Sequence, residues 1–171
     1  PTHVQAHINI ADICQRLNHK VQERFHIRKA FDLNPYSINM EYFASLLKEN
    51  ELVKLKEELE NLLNDRNASY VYDSLGYVYA ALGEYEGEEE YVKKALALEP
   101  EDTPLLMHHI QIMLRKKKFS EAKKAVLPLI CKEIENRNLY ELLVEIHVSS
   151  GSMLTLEKII NRLKLSDQDI S

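Results

Sequence analysis

The sequence predicts an all-α chain, an α-solenoid of about five helical hairpins stacked one on the next. Three observations predict it. Within residues 68 to 100, Tyr72, Leu75, Gly76 and Tyr79 fall at i, i+3, i+4 and i+7, one face of a helix. Gly83 breaks that pattern, and a second one follows through Tyr85, Tyr91, Val92, Ala95, Leu96 and Leu98 to Pro100. The same two-helix pattern then recurs along the chain, with equivalent residues at His7, Asn39, Tyr72, Leu106 and Tyr140. Finally, 171 residues carry only four Gly and five Pro, too few turn formers for a chain of many short strands.

Taken in order, Val4, Ile8, Ala11, Ile13, Cys14 and Leu17 mark a first helix over 4–17, and Asn18-His19 the turn. A second helix runs over 20–32 with Val21, Phe25, Ile27, Ala30 and Phe31, and Pro35 follows. Residues 37–50 give the third helix through Ile38, Tyr42, Phe43, Leu46 and Leu47, with Ser37 as its N-cap. After a turn near Glu49-Asn50, Leu52, Leu55, Leu59, Leu62 and Leu63 mark the fourth; three full heptads, the length a coiled coil needs, are not available. The pair over 69–100 is the hairpin described above. Asp102 or Thr103 then caps a helix with Pro104 at its start and Leu105, Leu106, Met107, Ile110, Met113 and Leu114 behind it. Arg115 to Lys118 turn the chain into a return helix with Phe119, Ala122, Ala125, Val126, Leu129 and Ile130. Pro128, lacking an N–H and clashing with the preceding turn, is expected to kink or end that helix. A last pair covers 138–165, turning at Ser150-Gly151, with Met153, Leu156, Ile159, Ile160 and Leu163 in its second helix. The ending at 166–171 is a polar tail expected to fray.

The stretch over residues 68 to 100 resembles a tetratricopeptide repeat. Tyr72 stands for the family's first large aromatic, Leu75-Gly76 for its Leu-Gly pair, Tyr79 for its tyrosine, Ala95 for its late small residue and Pro100 for its closing proline. The ending KAFDLNP, with Ala30 and Pro35, is similar to the ending KALALEP, with Ala95 and Pro100. The resemblance implies one domain over 1–171, with repeats at about 4–35, 37–66, 69–100, 103–135 and 138–165, wound into a right-handed superhelix. Each hairpin would bury its stripe against the next, so stability would be approximately nearest-neighbour. Only the third repeat keeps Leu-Gly; elsewhere the pair reads Ile10-Ala11, Tyr42-Phe43, His109-Ile110 and Leu143-Val144. Glu88 stands where the family has a small alanine between helices. A buried unpaired carboxylate is costly, so Glu88 is expected to reach solvent or a partner, with Gly87 easing the backbone beside it.

Composition narrows the function classes. Hydrophobic residues make up 45% and charged residues 29%, as in a soluble globular chain, and the net charge of −5 gives no general attraction to nucleic acid. No apolar run approaches the roughly 20 residues that span a bilayer, and PTHVQAHINIADI has no signal-peptide pattern. Cys14 and Cys131, in apolar helical surroundings, read as two buried reduced thiols, which favours a cytoplasmic location. No phosphate loop, CxxC or HExxH is present, so no enzyme, metal site or cofactor is predicted. His3 and His7 share a helix face, but no spaced carboxylate or cysteine completes a metal site. The acidic run from Glu84 to Glu90 and the basic run Arg115–Lys118 sit at the helix ends that favour those charges.

The tetratricopeptide resemblance implies that the first helix of each hairpin lines a concave groove that binds a protein or peptide. Carried onto this sequence, the groove residues are Asn9, Asp12 and Arg16, with Gln5 beside them; Met40 and Glu41, with Ala44; Tyr70, Asp73 and Tyr77, with Ser74; Met107, His108, Gln111 and Arg115; and Glu141 and Glu145. Such a mixture can hydrogen-bond an extended peptide and pack its side chains. A carboxylate clamp of the co-chaperone type is not expected, because the corresponding places (Asn9, Ser37 with Glu41, Ser74, Pro104 with His108) hold one fitting residue, Asn9, and no Lys or Arg. The function expected is therefore an interaction scaffold. The rival expectations are an appendage of a larger enzyme or of a secretion or envelope assembly machine, and a homodimer through the C-terminal hairpin, where Leu154, Ile159 and Leu163 need cover.

Overall fold

The structure, a computed structural model, describes residues 2–64 and 68–151. Among the described residues it is all-α, with nine α-helices, two short 3-10 turns and no strand. The helices are α1 Thr2–Arg16, α2 Lys20–Leu33, α3 Met40–Leu46, α4 Glu49–Asn61, α5 Ala68–Ala81, α6 Tyr85–Leu98, α7 Thr103–Arg115, α8 Phe119–Lys132 and α9 Arg137–Ser149. The 3-10 turns are Pro35–Ser37 and Leu62–Asn64. The chain divides into two compact units, residues 1–98 and 99–171. The expected second helix of the last hairpin, with Leu154, Ile159 and Leu163, and the 166–171 tail lie outside the described residues.

The turns inside the hairpins repeat one piece of chemistry. A left-handed residue closes the first helix at Asn18 (φ 57°), Gly83 (φ 78°), Lys117 (φ 58°) and Gly151 (φ 72°). At the first three, the next N–H reaches back five residues: His19 to the Cys14 carbonyl (2.8 Å), Glu84 to Tyr79 (2.9 Å) and Lys118 to Met113 (2.9 Å). The left-handed residue's own N–H bonds three residues back, to Gln15, Ala80 and Leu114. That pattern satisfies carbonyls left open at a helix end and aims the chain into an antiparallel return helix. Each left-handed residue stands eleven residues after an equivalent repeat position, His7, Tyr72, Leu106 or Tyr140, so the turns fix the repeat register independently of the apolar pattern.

In the first unit, α1 packs on α2, α5 on α6, and α3 and α4 both pack on α5. Phe31, Phe43, Leu52, Leu55, Leu59, Val71, Leu75 and Val78 form its core. The second hairpin departs from the expected outline. Its first helix is seven residues long and starts at Met40, because Asn39, not Ser37, is the N-cap: its Oδ1 accepts from the Tyr42 N–H at 2.9 Å. Ser37 belongs instead to the preceding 3-10 turn. In the second unit, α9 packs on α7 and α8 around Ile110, Val126, Leu129, Leu139, Leu143 and Ile146. Asp102 caps α7 by accepting from the Leu105 N–H at 2.9 Å.

Several expectations are refined or corrected here. Pro128 does not end α8, which continues to Lys132; the residue is exposed, so the carbonyl it deprives of a partner lies on the water side. Cys131 is exposed, whereas Cys14 is buried. Glu88 is 1% exposed, so of the two alternatives expected for it, solvent or a partner, it takes the second. Gly87 serves Tyr79 rather than Glu88. A Cβ at residue 87 would stand 2.2 Å from the Tyr79 ring, so only glycine lets α6 approach that ring. The Tyr79 ring is stacked on Tyr91 at 5.1 Å, with the Lys56 ammonium 4.0 Å from its centre on α4.

Candidate functional site

Within the first unit, α1 and the start of α3 enclose a groove of about 200 Å³. Its apolar walls are Ile8, Ala11, Ile27 and Ile38, and its polar groups come from Asp12, Gln15, Ser37, Asn39 and Tyr42. Local capping builds one side of it. Asn34 accepts from the Tyr36 N–H (3.1 Å) and opens the 3-10 turn that carries Ser37. Asn39 then starts α3 and so places Tyr42 one turn in. The Tyr42 hydroxyl is closed off from water and has no hydrogen-bond partner among the described residues. A buried hydroxyl left in that state costs free energy that a ligand group can recover. At the opening, Asp12 is ion-paired to Arg16 at 2.9 Å, both well exposed, so the pair is cheap to rearrange.

The expected groove residues divide into three groups. Asn9, Asp12, Arg16, Glu41, Arg115, Glu141 and Glu145 are exposed on first helices, and Asp73, Tyr77, Met107 and Gln111 are half-buried. Tyr70 is half-buried but structurally committed. Its hydroxyl donates toward the Pro35 (2.7 Å) and Ile38 (3.0 Å) carbonyls, pinning α5 to the 3-10 turn, and burial lifts its pKa above the ordinary tyrosine value. Met40 (4% exposed) and His108 (1%) do not present a surface at all, and Ala44 and Ser74 are likewise buried. The physical reason is helical phase. Met40 shares a face with Phe43 and Ala44, and His108 falls between Leu105 and Ile112, so both lie on the packed side of their helices.

Sequence reasoning missed Gln15, Ser37 and Asn39 as groove residues and treated Tyr42 only as a repeat position. Gln15 lies three residues beyond Asp12 on the same helix face, a signal that was available. A second depression, about 490 Å³, lies on the return helices α2 and α4, but its charges are already matched: Arg28 makes two bonds to Glu58 (2.9 and 3.0 Å) and Arg24 one to Glu51 (3.4 Å). Among the described residues no group of three His, Cys, Asp or Glu side chains is disposed to hold a metal ion; His7 and His26 instead share a hydrogen bond at 2.8 Å.

Residues 69–102 match the tetratricopeptide repeat model. A crystallised tetratricopeptide repeat protein from Parabacteroides merdae is similar in fold, with a TM-score of 0.59 and 19% identity over 94% of this chain and 66% of that one. A curated relative, the Sol locus transcriptional repressor of Clostridium acetobutylicum, is 38% identical over 82 residues, 46% of this chain. The chain covers 25% of that repressor's length. The hairpin of Leu75-Gly76 closed by Pro100 is thus a tetratricopeptide repeat by its match over 69–102, and the chain shares its fold over nearly its whole length with a tetratricopeptide repeat protein.

Proposed function

We propose that this chain is a non-catalytic interaction scaffold that holds an extended peptide segment of a partner protein along its first helices. Repeats of this family generally mediate protein–protein interaction, and among the described residues no helix is long and apolar enough to cross a membrane. The observation that carries the reading is the α1–α3 groove: an apolar slot rimmed by a carboxylate, an amide and hydroxyls, with the Tyr42 hydroxyl still wanting a partner. A peptide offers what that slot lacks, main-chain N–H and C=O groups for the rim and a side chain for the walls. Half-buried Tyr77 and Asp73 on α5 extend the same kind of surface within the first unit. The repressor similarity spans too little of that protein to transfer its role, and the net charge of −5 does not favour a nucleic-acid partner.

The test is affinity capture with the intact chain beside a variant carrying Asp12→Ala, Gln15→Ala and Tyr77→Ala, followed by peptide mapping of whatever is retained. A specific protein retained by the wild type and lost by the folded variant supports the reading. Equal retention by both removes the first-helix groove from consideration.

A further inference from the structure

Two register places pair across the hairpin seam, 11 residues before the left-handed turn residue and 8 after it. In the third hairpin they hold Tyr72 and Tyr91, whose ring centres are 6.0 Å apart at an interplanar angle of 41°. In the hairpin of α7 and α8 they hold Leu106 and Ala125, both packed on the second unit's core. In the first hairpin they hold His7 and His26, with ring centres 5.1 Å apart at 36°. The seam geometry is thus that of the third hairpin, but the residue type is the one whose charge changes between about pH 5 and pH 8.

The two Nδ1 atoms are 2.8 Å apart, so one carries a proton and donates it to the bare Nδ1 of the other. That bond needs one neutral ring. When both rings are imidazolium, no lone pair remains to accept, and two positive charges meet across the seam. Nothing nearby offsets the second charge. Titratable side chains one turn away are His3 on α1 and Glu23 and Lys29 on α2; the 3-10 turn and α3, which pack on α2, bring Tyr36, Glu41 and Tyr42. Glu23 has Lys20 at 3.5 Å, and the Lys29 ammonium lies over the Phe25 ring at 5.9 Å. Among the described residues the two half-buried rings contact each other and, edge-on to His26 at 5.2 Å, Phe25. Ile8 follows His7, Ile27 follows His26, and both line the α1–α3 groove. Spacing at the pair is therefore transmitted to two walls of that groove. We infer that His7 and His26 form a proton-operated clasp on the groove, closed while at least one ring is neutral and opened when both are charged. Its bearing on recognition rests on the peptide-groove reading above; the clasp itself does not.

The test follows the free, intact chain from pH 7.5 to pH 5. Imidazole nitrogen spectra should show one protonated and one bare Nδ1 at the upper pH and two protonated at the lower. Hydrogen exchange in α1, corrected for the intrinsic rate, should rise at least about tenfold relative to α5 and α6, and the Ile8 and Ile27 methyl signals should shift together. Two variants, each confirmed folded by circular dichroism, remove the double charge: His7→Gln, and His7→Tyr with His26→Tyr, the third hairpin's own solution. In both, the rise should stay below about twofold. Rings that do not both charge by pH 5, unchanged α1 protection once they do, or an equal rise in the variants overturns the inference. Affinity capture washed at the two pH values reads the consequence. A partner released at pH 5 by the wild type and retained by the double tyrosine variant supports control of the groove, and equal retention by both at pH 5 overturns it. Capture of nothing at either pH counts against the groove reading alone, since the exchange and imidazole measurements need no ligand.

Discussion

Gly87 carries a packing role that no stripe of apolar residues announces. A methyl group there would enter the Tyr79 ring, which Tyr91 holds from one side. Alanine normally gains about 1 kcal/mol over glycine inside a helix. Here the overpacking, typically about 1–3 kcal/mol, outweighs that gain, so Gly87→Ala is expected to lower the melting temperature. An unchanged or raised midpoint would show that the ring yields freely. His147 gives a second residue-scale expectation. It is 2% exposed, neither ring nitrogen has a hydrogen-bond partner among the described residues, and burial, with Lys123 adding to it, pulls its pKa below the ordinary value. A lowered histidine pKa means that the unfolded chain takes up the proton first as pH falls. Stability from this group is therefore full above the unfolded value of about 6.5 and is lost as pH drops below it toward the folded value. Denaturant midpoints measured between pH 8 and pH 5 should fall on the acid side, and His147→Phe should flatten that fall.

At the scale of elements, the helices were legible and their rotations were not. Apolar spacing marked each of the nine helices among the described residues, since each must bury one stripe, and Gly83 and Gly151 announced two of the turns. Asn18 and Lys117 adopt the same left-handed backbone without being glycine, so the period located those turns better than residue type did. Lys117 bears the side-chain strain of that conformation, about 1 kcal/mol. Lys117→Gly should raise thermal stability by about that amount, measured by chemical denaturation, and a loss would mean that the side chain contributes more than its backbone costs. Pro128 is the converse case: α8 retains a residue that removes a hydrogen bond from its interior. Because Pro128 is exposed, Pro128→Ala restores that bond without opening a cavity, and a gain of roughly 1–2 kcal/mol is expected by the same assay. Groove membership was the least legible property. Carrying it over from a family pattern fixes position along a helix, whereas exposure depends on phase. Phase buried Met40 while leaving its neighbour Glu41 exposed, and buried His108 while leaving Gln111, three residues on, half-buried. Buried Glu23 and Glu88, 0–1% exposed, both stand five residues past a left-handed turn; the repeat pattern flagged Glu88 at this packed position but not Glu23, because charge argues for solvent and only the packed register overrides it.

At the scale of the molecule, the account rests on hairpins that bury little alone and recur in one register, and on the proposal that their first helices supply a binding surface. Stability follows from that arrangement, and the proposed recognition draws on the same first helices. Isotope-labelled chain bound to the peptide recovered by affinity capture tests it most directly, through amide chemical-shift changes read residue by residue. The account predicts shifts concentrated on α1, α3 and α5, with Asp12, Gln15, Asn39 and Tyr42 among the largest. Shifts confined to the outer faces of α2, α4 and α6, with those residues unmoved, would contradict it.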